Sequence, residues 1–243
     1  MISIIIPTLN ETTTLPFLVD SLMASTVNKE LIMVDGHSQD GTWEKILLLE
    51  KQHPTIQAIQ STPGRGQQLR QGVQMAQGDI LFFLHADSQL DSTALGAIQE
   101  TLTQDPTSIG GNFRLSFGEA RPFYRFMNRF YAWIRRFGLY YGDSGIFMTR
   151  QAYDDIGGLK DLPIMEDYDL VRRMEQYGNT QCIQTPILTT STRRFEGKNT
   201  LQLFWLWGKM HVLYALGASG PQLRQHYENK RIESTPTPHD LPV

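Results

Sequence analysis

A single cysteine, Cys182, stands among the 243 residues, so no intrachain disulfide can form. Stability must then come from a buried core, and the lack of a disulfide framework suits a reducing compartment; a cytoplasmic location is expected. Long apolar runs are missing too. The start, MISIIIPTLNE, has no basic leader and breaks at Pro7 after three isoleucines, unlike a signal peptide. The most membrane-like stretch, 203–218, carries Lys209 and His211 at its centre and falls short of the roughly 20 apolar residues a span needs. Excess charge is also absent. A formal net charge of −3 gives no general attraction for nucleic acid, and no nucleic-acid partner is expected. Repeats and flexible linkers are not found.

What is present is an ordinary globular composition, 40% hydrophobic and 19% charged, arranged with a clear alternation. Ser3–Pro7 reads as a strand. Leu15, Leu18, Val19, Leu22 and Met23 follow at helical spacing, with Pro16 tolerable in a first turn. Leu31–Val34 is a second strand; Trp43, Ile46, Leu47 and Glu50 mark a second helix ending before Pro54; Ile56–Ile59 is a third strand. Leu69, Val73 and Ala76 sketch a helix stopped by Gly78, and Ile80–Leu84 is the most apolar strand. Asp91 or Ser92 can cap a further helix carrying Leu95, Ile98 and Leu102. This order predicts an α/β fold, a mostly parallel sheet with helices on both faces and ligands at the carboxyl ends of its strands.

Those ends are polar. Asn10-Glu11, Asp35 and His85-Ala86-Asp87 each follow a buried-type strand, so three strand ends present polar groups to one rim. From about residue 110 the texture changes. Phe113, Leu115 and Phe117 alternate with Asn112, Arg114 and Ser116 as in a half-buried strand. Residues 121–141 hold five arginines, no acid and a helical stripe of Phe123, Tyr124, Phe126, Met127, Phe130, Tyr131 and Ile134. That stripe reads first as packing or homodimerisation, second as peripheral contact with anionic lipid. Gly142-Asp143-Ser144-Gly145 is a loop, Ile146–Met148 a short strand, and Met165–Tyr177 a helix with Leu170, Val171 and Met174 on its face, ending at Gly178. One domain over 1–230 is expected, with a nucleotide-binding half to about 110, an acceptor half beyond it containing a C-terminal helical elaboration, and a proline-rich flexible tail at 231–243.

Taken in order, IIIPTLNE (4–11), VDGHSQDGT (34–42), Gly78-Asp79, His85-Ala86-Asp87 and MEDYDL (165–170) resemble the motif series of family-2 glycosyltransferases with the GT-A fold. The resemblance spans roughly residues 1–180 and is nearest to a small bacterial branch with His-Ala-Asp in place of the usual Asp-x-Asp. It implies inverting transfer of a sugar from a nucleotide-diphosphate donor, with UDP expected, to an unknown acceptor, whether glycan, lipid-linked or small molecule. It also implies a divalent cation, Mn²⁺ or Mg²⁺.

The same resemblance assigns donor contacts to Pro7, Thr8, Glu11 and Asp35. Chemically, Glu11 can accept hydrogen bonds from ribose hydroxyls and Asp35 from a pyrimidine N3–H, which uracil has and cytosine lacks. A helix-start acid and a turn residue are the plainer alternatives for these two. Arg65, between glycines, is either a phosphate-binding guanidinium or a solvated loop arginine. Asp87 is the implied metal ligand. His85 two residues earlier would share its side in an extended segment and bind metal, phosphate or sugar, or be a structural histidine. Glu166 and Asp167 are the implied catalytic pair, Asp167 as base and Glu166 as a positioning acid. Gly142 and Asp143 would line the sugar or acceptor pocket. Arg193-Arg194-Phe195 could not be aligned to a role, and His211 reads first as a core histidine. Two other classes compete: a non-catalytic nucleotide-sugar-binding module, favoured by His85, and a nucleotidyltransferase, for which PTLNETTT lacks the glycine-rich phosphate loop and lysine.

Overall fold

Strand β1 (Ile2–Thr8) splits the core between two faces, because successive side chains of an extended chain point oppositely. Ile2, Ile4 and Ile6 join one apolar cluster while Ile5 joins the other, and all four are fully buried. A computed structural model of the protein describes residues 1–118, 121–195 and 200–233. The seven strands are β1, β2 (Lys29–Asp35), β3 (Ile56–Gln60), β4 (Ile80–Phe83), β5 (Ser108–Ser116), β6 (Ile146–Thr149) and β7 (Asn179–Thr189). They form one sheet in the order β3-β2-β1-β4-β6-β5-β7, parallel except for β6, which runs antiparallel to both its neighbours.

Helices α1 (Leu15–Met23), α2 (Thr42–Gln52), α4 (Ala94–Gln104) and α5 (Pro122–Arg135) cover the face that receives Ile4 and Ile6. Helices α3 (Arg65–Met75), α6 (Arg150–Asp155) and α7 (Glu166–Tyr177) cover the other. Each buried Ile or Leu contributes roughly 1.5–3 kcal/mol, so this double covering is the main source of stability. Helices α8 (Thr200–Ala215) and α9 (Gly220–Glu233) add a smaller cluster around Met165, Met210 and Leu223. The architecture is the expected α/β sheet with helices on both faces. No helix among the described residues is long and apolar enough to cross a membrane.

Several expectations change. Helix α4 begins after Thr93, whose own side chain makes no cap bond; the capping oxygen is that of Asp91, which accepts from the Thr93 N–H at 2.9 Å. On α5 only Tyr124, Met127, Tyr131 and Ile134 of the stripe are buried, and Phe126 points outward beside Arg125 and Arg129. Helix α9 ends at Glu233, and residues 234–243, most of the expected tail, lie outside the described residues. Strand β7 and the short helix α6 were not anticipated.

Candidate active site

The parallel register aligns Thr8 with Asp35 and Ile5 with Phe83, which brings the polar ends of β1, β2 and β4 to one rim. Three clusters form there. At the first, Gln68 of α3 donates through Nε2 to the carbonyls of Thr8 (2.8 Å) and Val34 (2.7 Å), tying the two strand ends together. Asp35 is fully buried, and its carboxylate accepts from the Ser38 N–H (3.0 Å) and hydroxyl (2.5 Å). Pro7 is half-buried and Thr8 buried beside it.

The second cluster joins residues far apart in sequence. Arg193, in the 3-10 turn Arg193–Phe195 after β7, donates through Nη2 to both oxygens of Glu11 (2.7 and 2.9 Å) and to Asp87 Oδ2 (3.3 Å). Two carboxylates thus share one cationic nitrogen. Its fork suits oxyanions, and the pairing with Glu11 and Asp87 raises its pKa. In the sequence this residue stands out only as half of a basic pair, Arg193-Arg194, downstream of the acidic motif. Among the described residues no group of three or more His, Cys, Asp or Glu side chains is placed to hold a metal ion.

The third cluster is the buried one. Helix α7 opens with Glu166 and Asp167, where the helix dipole favours acids. Arg65, the first residue of α3, reaches across to them: Nε donates to Glu166 Oε1, and Nη2 lies 3.0 Å from Asp167 Oδ2. Its Nη1 lies 3.4 Å from His85 Nε2. Arg65 is therefore not a solvated loop arginine: it opens α3 and its side chain is held by the acidic pair. The 3-10 turn Gly142–Ser144 supplies the Gly142 N–H to Asp167 Oδ2 at 2.9 Å, and the Tyr168 N–H donates to Oδ1 at 2.8 Å. A side chain at position 142 would stand 3.1 Å from both Asp167 Oδ2 and His85 Nε2, which explains the glycine. Asp143 is buried alongside. The third acid of the motif, Asp169, is structural: it accepts from Lys160, Arg173 and Tyr214.

Charge follows from this packing. Burial alone would push the Asp167 carboxyl up, but Arg65 and the two N–H donors outweigh it, so the group lies below the ordinary carboxylate range. Burial would likewise lower the Arg65 pKa, and Asp167 and Glu166 raise it instead. His85 is held below its usual value by burial first and then by the Arg65 charge. The neutral imidazole thus borders an ionised carboxylate.

His85 and Asp87 have different partners, although the Asp87 charge still reaches His85. Strand β4 ends at Phe83, and a turn closed by Ser88 N–H to the His85 carbonyl (3.1 Å) replaces the extended geometry on which alternation depends. His85 faces Arg65 and Gly142, whereas Asp87 faces Arg193 and Glu11. Of the non-glycine residues with positive φ among those described, Asn10 (57°) and Met165 (66°) adjoin Glu11 and Glu166, and His37 (62°) lies two positions after Asp35. Such conformations cost of order 1–3 kcal/mol each and persist where a site dictates them.

Between α5, α7 and α8 lies a cavity of about 570 Å³ lined by Asp167, Arg65 and a set of aromatic rings. His211 lines it instead of sitting in a closed core. Its Nδ1 lies 2.7 Å from the Trp207 carbonyl and so carries a proton, and Nε2 lies 2.9 Å from the Tyr141 hydroxyl.

The sheet, with its acidic rim and the buried acidic pair facing it, is a GT-A-like α/β fold. Residues 3–156 match the sequence model of glycosyl transferase family 2, and the chain belongs to that family. Over 131 residues it is 30% identical to the dolichol-phosphate mannosyltransferase of Pyrococcus furiosus, an overlap of 51% of this chain and 37% of that protein. In structure it resembles the mannosyltransferase PcManGT of Pyrobaculum calidifontis, solved with GDP-Man and Mn²⁺ (TM-score 0.65, 18% identity, 98% of this chain and 66% of that one). It also resembles S. aureus TarS 1-349 in complex with UDP-GlcNAc (TM-score 0.61, 15% identity, 81% and 59%). The chain spans less than two thirds of the length of each of these proteins.

Proposed function

We propose that this protein transfers a sugar, with inversion, from a nucleoside-diphosphate donor to an acceptor hydroxyl, with Asp167 as the base. The observation that carries the reading is Asp167 itself: a carboxylate kept ionised by Arg65 and two backbone N–H groups, in the lining of a cavity wide enough for an acceptor. The acceptor oxygen forms the new bond to the anomeric carbon with its lone pair. The old bond to the diphosphate breaks with its electrons leaving on the nucleoside diphosphate, and the hydroxyl proton passes to Asp167. Oδ1, which carries only the Tyr168 N–H among the described contacts, is the oxygen free to take it. Glu166 holds Arg65 in place and thereby positions the base.

Donor binding falls to the rim formed by Pro7, Thr8, Glu11, Asp35 and Asp87. The proposed donor is a UDP-sugar, the imide N–H of uracil meeting Asp35 once Ser38 yields part of its hold. Asp87 suits a divalent cation, because Mg²⁺ and Mn²⁺ in such sites take one or two carboxylates and fill the remaining positions with waters and substrate phosphates. The fit is supported by Arg193, a cationic group already drawn to the same oxygen. When bound, the cation supplies charge neutralisation to the leaving diphosphate. Arg193 then has its fork available for the same diphosphate. His85, two residues from Asp87 but turned towards Arg65, is assigned to the sugar side of the donor, with Gly142 and Asp143.

A second reading, a binding module without turnover, is favoured by Arg193 lying on Asp87 and by His85 in the motif. Thermal stabilisation by UDP, GDP, CDP and ADP, with and without Mn²⁺ or Mg²⁺, followed by turnover of the matching nucleotide sugar, separates the two. Binding of one nucleotide with metal, and release of that nucleotide from its sugar, is the expected result. Binding with no release under any acceptor would leave only the module, and no binding at all would end both readings.

A further inference from the structure

The cavity lined by Asp167 is unusual in what its walls offer. Tyr131, Tyr141, Tyr168, Phe204, Trp207 and Met210 present ring faces and a thioether. The polar wall groups His211 and Tyr141 satisfy each other, and the second His211 nitrogen is taken by the Trp207 carbonyl. The rings also brace one another: Tyr168 meets His211 edge-on at 4.6 Å and stacks on Tyr141 at 6.2 Å between centroids. The charged side chains of the lining are Asp167 and Arg65. An acceptor covered in hydroxyls needs a partner for each one it buries, and apart from tyrosine hydroxyls and the Trp207 indole N–H these walls are hydrocarbon. An apolar body needs none.

The outside of the chamber points the same way. Phe204 of α8 meets Phe130 and Phe126 of α5, with centroids 5.8 and 6.5 Å apart, closing one wall. Beyond that wall, Phe126, Trp133, Trp205 and Val212 are more than half exposed, beside the exposed Arg125 and Arg129. No acid occurs in 121–141 or in 200–218. Basic helices carrying aromatics on one face suit the surface where amphiphiles gather.

We infer that the acceptor is an amphiphile, a hydroxyl compound with an apolar body, and that this aromatic chamber holds the body while the hydroxyl meets Asp167. The inference rests on the glycosyl-transfer reading for the role of Asp167, but the chamber can be tested without it. Intrinsic tryptophan fluorescence of the full chain is titrated with methyl, hexyl and octyl glucoside, each below its micellar concentration. Burial of methylenes should lower Kd by about tenfold or more from methyl to octyl. Gly208 lines the chamber and has open space where a Cβ would stand, so Gly208→Leu introduces an apolar side chain at the wall with no clash at its Cβ. In that variant the difference between octyl and methyl glucoside should collapse, and its thermal midpoint shows that it is folded.

Equal Kd values for the three glucosides, or a chain-length trend that survives Gly208→Leu, overturn the inference. If a nucleotide binds and octyl glucoside does not, the inference falls while glycosyl transfer stands; the reverse result leaves the chamber and removes the transfer reading. Two further arms identify the source of the amphiphile. Binding to free octyl glucoside alone assigns a soluble compound. Additional binding to vesicles bearing a diacyl glucolipid, stronger when phosphatidylglycerol is included, assigns a bilayer lipid.

Discussion

Asp167 works between two opposed influences, burial and the Arg65 charge, and each can be removed separately. With Arg65 present the carboxyl lies below its ordinary value of about 3.9, so it is ionised throughout the neutral range. Arg65→Gln leaves burial unopposed by that charge; the acid limb of kcat/KM should then move to higher pH, as a pH–rate profile would show. The same depressed carboxyl contributes stability above its unfolded pKa that is lost as pH falls through the folded one. Asp167→Asn should cut turnover by about 10²–10⁴-fold while nucleotide binding is retained, because the amide keeps the shape but cannot take the proton. Asp87→Ala should instead abolish the metal-dependent part of nucleotide stabilisation, roughly 2.7 kcal/mol at a hundredfold excess over Kd. Loss of binding in both variants would contradict this division of labour.

Element by element, what could be read in advance followed from burial. β1, β2 and β4 are buried on both faces, and continuous apolar runs such as IIIP and LFFL reveal them. α1 and α7 show their stripes because each has one dry side. β7 did not announce itself: NTQCIQTPILT mixes exposed and half-buried positions and contains Pro186, as an edge strand beside β5 can. Its absence from the reading hid Arg193, which hangs from its end. The acids of α7 were legible as a motif, but only packing separates Asp167 from the structural Asp169. Helix α3, which delivers Arg65, approaches the sheet through Gly72, where a Cβ would lie 2.4 Å from an Ile5 methyl carbon. Gly72→Ala should therefore cost about 1–3 kcal/mol in urea unfolding despite alanine's better helix propensity. An unchanged or higher midpoint would show that the sheet can yield there.

Across the whole molecule, the sheet order places β6 of the later sequence between β4 and β5, so the polar rim and the acidic pair are held by one continuous platform. Arg193→Ala tests the contact that spans it most widely. Without ligand the loss should stay below about 1 kcal/mol, since the guanidinium is half exposed. Donor Kd should rise by about tenfold or more through the missing charged hydrogen bonds, measurable by calorimetry. The sequence separation of that contact, 182 positions from Glu11 and 106 from Asp87, also sets a timetable. At translation rates of about 5–20 residues per second, some 5–20 s pass between the synthesis of Asp87 and that of Arg193. During that interval both carboxylates have been made and their guanidinium has not, so the Glu11–Asp87–Arg193 cluster cannot close until the chain has been synthesised past β7.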